Sequence, residues 1–119
     1  MKQEPYELDL KRRAAVLDSF REVCARRAWR LLAAHVRSKH VHLVVSAQAT
    51  PERVMRDIKV QASRALDRTG LDGVGRRHWT HHGSTRYLWK PKQVGSAIHY
   101  VVREQGEPMA VWENPEGLL

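Results

Sequence analysis

The sequence predicts an α+β sandwich in one domain: a small antiparallel sheet with helices on one face. Three observations lead there. Several stretches repeat apolar residues at three- and four-residue steps, the spacing of amphipathic helices. An apolar run interrupted by one short polar turn separates the first two of them, as a hairpin requires. The chain has 119 residues, the length of one domain, enough to bury a real but modest core.

The elements follow in chain order. Asp9 is a helix N-cap, and Leu10, Ala14, Leu17, Phe20 and Cys24 form a stripe that Val16 and Val23 widen, so a helix spans Leu10 to Ala28. Trp29 to Val36 is an apolar strand punctuated by basic residues. A tight turn at Ser38-Lys39 leads into a second strand that ends near Ala47. Thr50-Pro51-Glu52-Arg53 starts the next helix: Thr caps, Pro takes the first helical position, and an acid follows in the first turn. On that helix Val54, Ile58, Ala62, Ala65 and Leu66 fall on one side, and Arg53, Arg56, Lys59, Ser63 and Arg64 on the other; Gly70 and Gly73 end it. Arg76 to Ser84 is a basic, histidine-rich loop or irregular strand, and Thr85 to Trp89 reads as a short strand. Pro91 opens a last helix, Lys92 to Gln105, which Gly106 and Pro108 stop. Residues 107–119 show no periodicity and read as a tail of the single domain 1–119.

Composition narrows the partners. Lys and Arg number 21 against 13 Asp and Glu, for a formal charge of +8. A field of that sign draws polyanions, with nucleic acid first among them. A single cysteine, Cys24, excludes an intramolecular disulfide and zinc-finger spacing, and its place on the apolar stripe makes it a small core residue. No secretory leader and no long apolar run is present, so a cytoplasmic protein without a membrane span is expected.

The chemistry concentrates in Arg37-Ser38-Lys39-His40-Val41-His42-Leu43-Val44-Val45. Side chains alternate along a strand, so His40 and His42 share one face, roughly 7 Å apart, while Val41, Leu43 and Val45 pack on the other. Two imidazoles so placed are half of a metal site. Tyr100 and Glu104 stand four apart on the last helix and share a face. A carboxylate there is a hard-cation ligand and a phenol beside it a nucleophile for a phosphodiester. On helical spacing alone the plainer reading, a half-buried aromatic and a solvated charge, is favoured.

The run Trp29-Arg30-Leu31-Leu32-Ala33-Ala34-His35-Val36-Arg37-Ser38-Lys39-His40-Val41-His42-Leu43-Val44-Val45 closely resembles the HUH segment of single-tyrosine transposases of small bacterial insertion sequences, above all their REP-associated branch. The likeness continues through Pro51-Glu52-Arg53-Val54-Met55, Gly83-Ser84-Thr85-Arg86-Tyr87-Leu88-Trp89 and Tyr100-Val101-Val102-Arg103-Glu104-Gln105-Gly106. The resemblance implies a ferredoxin-like sandwich that cleaves and joins single-stranded DNA. It implies Tyr100 as the nucleophile forming a 5′-phosphotyrosine link, and His40, His42 and Glu104 as ligands of Mg or Mn. Gln105, an amide like the third ligand in many relatives, is one residue out of phase with Tyr100, which favours Glu104. The family's N-terminal strand is short or missing here: Lys2 to Leu8 alone precede the first helix, and Pro5 cannot donate to a ladder. An open sheet edge would admit a second copy and so a homodimer.

Arg53, Arg56, Lys59 and Arg64 read as phosphate contacts, with Arg37, Lys39 and Arg86 as further basic contacts to DNA, and Trp79, Tyr87 or Trp89 would stack exposed bases; the plainer alternatives are a solvated helix face and ordinary core aromatics. His78, His81 and His82 are candidate metal ligands, but with no matching carboxylate nearby in sequence phosphate contact or solvent exposure is the favoured reading. The expected partner is single-stranded or hairpin DNA. The alternative function is a non-catalytic single-stranded nucleic-acid binder, domesticated or truncated; a water-activating, metal-dependent phosphodiesterase also stays open.

Overall fold

Asp9 and Thr50 each end an extended segment by accepting a backbone N–H three residues on, from Arg12 and Arg53 respectively. The helices they start are α1, Leu10–Arg27, and α2, Pro51–Arg68. The computed structural model describes residues 6–73, 78–79 and 91–116, which also contain strands β1 (Arg30–Val36), β2 (Val41–Ser46) and β3 (Ala110–Glu113) and helix α3 (Pro91–Arg103). The strands form an antiparallel sheet in the order β2-β1-β3.

β1 is the central strand and is buried from Leu31 to Val36. That is why it reads as an apolar run with no alternation. A bulge between Leu31 and Ala33 shifts its register against β2. The carbonyls of Leu31 and Leu32 accept from the side chain and backbone N–H of Asn114, at 3.1 and 2.9 Å, just past the β1–β3 pairing.

Two cores flank the sheet. On one face, Ala34 and Val36 join Val16, Phe20, Val23 and Cys24 of α1 and Val54, Ile58, Ala62 and Leu66 of α2. On the other, Leu32, Ala33 and Val44 meet Ile98 and Val101 of α3. The α+β class with a small antiparallel sheet therefore holds. The expectation of helices on one face holds for α1 and α2, whereas α3 covers the opposite face. The physical reason is that β1 is apolar on both sides, so each face needs its own cover.

The tail is also corrected in part: residues 110–113 pair with β1 as β3, from Ala33↔Glu113 to Val36↔Ala110. Four residues are too few to show a period, and their pairing is dictated by the vacant edge of β1. α3 ends at Arg103, two residues before the expected Gln105. No strand occurs among residues 6–9, where Leu8 makes one backbone bond to the Ser38 carbonyl, 2.7 Å. The short strand expected at Thr85–Trp89 lies outside the described residues.

Candidate active site

A two-residue turn, Ser38-Lys39, joins β1 to β2, closed by the Arg37 N–H donating to the His40 carbonyl at 2.8 Å. It sets His35 opposite His42 across the ladder. Ala33 and Val44 pack under α3, so alternation puts His35, His42 and, two residues back, His40 on that same face. The His40 and His42 rings lie 6.4 Å apart, tilted by 41°. Burial, then the nearby His40, His35 and Arg37, push the His42 pKa below the ordinary histidine range. The neutral form of His42 keeps a lone pair for a metal, and with the His40 ring beside it the pair fits a divalent cation as half of a donor set.

α3 lies over this face. Ile98 and Val101 are buried beneath it, and Tyr100, one position around, is 52 % exposed. The Glu104 N–H donates to the Tyr100 carbonyl at 3.1 Å, and the Glu104 side chain lies 3.5 Å from His99 Nδ1. The structure thus brings the two histidines together and sets Tyr100 on the helix that covers their face. Glu104 is engaged with His99. Among the described residues no group of three or more His, Cys, Asp or Glu is close enough to hold a metal.

A protein-family model described as "Transposase IS200 like" matches residues 6–102, most of the chain. The chain belongs to the IS200-like transposase family. The matched span includes His40, His42 and Tyr100 and stops before Glu104. The comparisons with curated proteins and with solved structures gave no match. The partner of the transposase is accordingly DNA, and among its described residues no helix is long and apolar enough to cross a membrane.

The basic residues of the transposase divide between the two faces. Arg53, Arg56 and Arg64 are exposed on α2, across the sheet from α3. Lys59 is half-buried there, and its carbonyl accepts the Trp79 indole N–H at 3.0 Å, which also reaches Ser63 Oγ at 2.7 Å. Trp79 packs against the α1–α2 core, which is the ordinary-aromatic alternative to base stacking. Arg37 and Lys39 flank the histidine turn; Arg37 Nη1 donates to the Glu107 carbonyl at 3.0 Å, and Lys39 Nζ lies 3.5 Å from Glu7. Arg86, Tyr87, Trp89, His81 and His82 lie outside the described residues. His78 is corrected: its side chain is 3 % exposed, 3.6 Å from Asp67, with its ring edge-on to Tyr6. Burial raises the Cys24 thiol to about 11, as a core cysteine requires.

No motif in the sequence singles out a role for His35. It is fully buried, with Nδ1 3.2 Å from the Val101 carbonyl and Nε2 accepting the Met109 N–H at 3.0 Å. Burial holds its pKa below the ordinary range against the opposing pull of the Val101 carbonyl. The available signal was a lone imidazole inside an otherwise apolar strand.

Proposed function

We propose that this transposase nicks and rejoins single-stranded or hairpin DNA through a covalent bond to Tyr100, in the cytoplasm. The observation that carries the reading is an exposed tyrosine on the helix covering the sheet face of the histidine pair. The Tyr100 Oη attacks the scissile phosphorus, its proton passing to solvent. The P–O3′ bond breaks, and the departing O3′ takes up a proton. The products are a 5′-phosphotyrosine and a free 3′-hydroxyl. Attack by another 3′-hydroxyl reverses the step and joins the strands, so the bond is conserved without a nucleotide cofactor.

His40 and His42 would hold Mg or Mn, with Glu104 as the third ligand. When bound, such an ion offsets phosphate charge and polarises the scissile group. Burial keeps His42 neutral for that task, and Glu104, half-exposed, can turn from His99 without opening the core. β2 is an edge of the described sheet, and a second copy pairing along it would give a homodimer.

The test is a denaturing gel with end-labelled single strands copied from the DNA flanking the gene. Wild type and Tyr100→Phe are compared with Mn, with Mg and with chelator. A metal-dependent, protease-sensitive adduct formed by wild type alone supports the reading. An adduct in the variant would sink the nucleophile assignment, and metal-dependent cleavage without an adduct would indicate activated water. The second reading, a non-catalytic single-strand binder, is favoured by the lack of three converging ligands among the described residues. Tight, salt-sensitive binding with no cleavage would select it.

A further inference from the structure

His35 is fully buried in the central strand, and the chemistry above makes no use of it. Both of its ring nitrogens are engaged, on opposite sides. Nδ1 meets the Val101 carbonyl at 3.2 Å, and Nε2 meets the Met109 backbone N–H at 3.0 Å. A carbonyl can only accept, so Nδ1 carries the proton; a backbone N–H can only donate, so Nε2 carries the lone pair. The two bonds coexist in one form of the ring, the neutral Nδ1–H tautomer.

The partners of the ring matter more than the ring. Val101 follows Tyr100 directly, and α3 ends at Arg103. The last four carbonyls of a helix have no partner within it. That of Tyr100 is met by the Glu104 N–H just past the end. That of Val101 makes its contact with His35 in a buried setting, where water cannot substitute. On the far side of the ring, Met109 is the residue before β3. Two residues after His35, just past the end of β1, Arg37 donates to the Glu107 carbonyl at 3.0 Å. β1 therefore grips the end of α3 and the connection running from it into β3.

We propose that His35 is a positioning residue for Tyr100. By donating from Nδ1 to the Val101 carbonyl it locks the final turn of α3 against β1, and so sets the direction in which the Tyr100 hydroxyl meets the scissile phosphate. The inference rests on the reading of Tyr100 as nucleophile.

Two substitutions separate the two bonds. In His35→Asn the side-chain amide falls near the place of Nδ1, where it can serve Val101 but not reach Met109. In His35→Gln the amide falls near the place of Nε2, where it can serve Met109 but not Val101. Wild type and both variants are compared for single-strand affinity, melting temperature and the single-turnover rate of adduct formation at saturating DNA. The expected result is unchanged affinity in both, a rate near wild type for Asn, and a rate lower by about tenfold to a hundredfold for Gln, the scale of a misdirected reacting group. A long-range ¹H–¹⁵N spectrum of wild type should show His35 protonated at Nδ1. A ring protonated at Nε2, equal slowing in Asn and Gln, or slowing that follows melting temperature in both, overturns the proposal. Wild type that forms no adduct overturns the Tyr100 reading and this role with it; an active wild type with equally impaired variants overturns this role alone.

Discussion

Arg12 holds Asp9 and Asp72 with one guanidinium, Nη1 2.6 Å from Asp9 and Nη2 2.7 Å from Asp72, while the Tyr6 hydroxyl donates to the same Asp72 carboxylate. Arg12 holds the Asp72 pKa below the usual carboxylate range, and burial together with Asp72 pushes Tyr6 up to about 12. Asp72 binds its proton less readily folded than unfolded, so its stabilisation is complete well above the unperturbed value of about 3.9 and is lost as pH falls through the lowered folded value. Tyr6 behaves oppositely, its contribution complete below about pH 10 and lost as pH climbs through the raised value. Asp72→Asn should cost about 1–3 kcal/mol near neutrality in urea unfolding. The deficit should vanish in strong acid, and one that persisted there would exclude the charged pair as its cause. At this scale the His40–His42 pair was legible, because strand alternation depends on nothing beyond the segment. The work of His35 was not, because its partners are 66 and 74 residues away.

The ends of helices are the most local features of the fold. Ala28 closes α1 in the left-handed region, φ 58°, its N–H meeting the Ala25 carbonyl while the Trp29 N–H meets that of Cys24. This double closure usually employs glycine, since a Cβ is strained at that φ. Ala28→Gly should therefore stabilise the protein, by up to about 1 kcal/mol after the added freedom of the unfolded chain is counted; a loss in thermal or urea unfolding would show that the Ala28 methyl packs usefully. Thr50→Ala removes the acceptor for the Arg53 N–H at 3.2 Å and should cost about 1 kcal/mol by the same measurement. Both helix starts were readable because a cap and the first turn it serves are adjacent in sequence. β3 was not, since four residues become a strand only when β1 offers them an edge.

For the molecule as a whole, the question is how DNA engages two faces. Arg53, Arg56 and Arg64 extend from α2, in the layer across the sheet from Tyr100. Replacing all three by Gln should weaken single-strand binding and flatten its dependence on log salt by about 0.7 for each phosphate that the variant no longer neutralises. An unchanged slope in a salt titration would remove α2 from the DNA path. The sequence alone determined the α+β class, α1, α2 and the β1–β2 hairpin, the clustering of two histidines on one strand face, and the family resemblance that the family match supports. Each is encoded by residues close together in the chain, through helical period, strand alternation and capping. Tertiary structure alone decided that α3 covers the opposite face, that β3 completes the sheet, that Glu104 meets His99, and that a buried histidine holds the turn after Tyr100. The cover of the second face, the pairing of β3 and the contacts of His35 join residues far apart in the chain, and no local pattern records them.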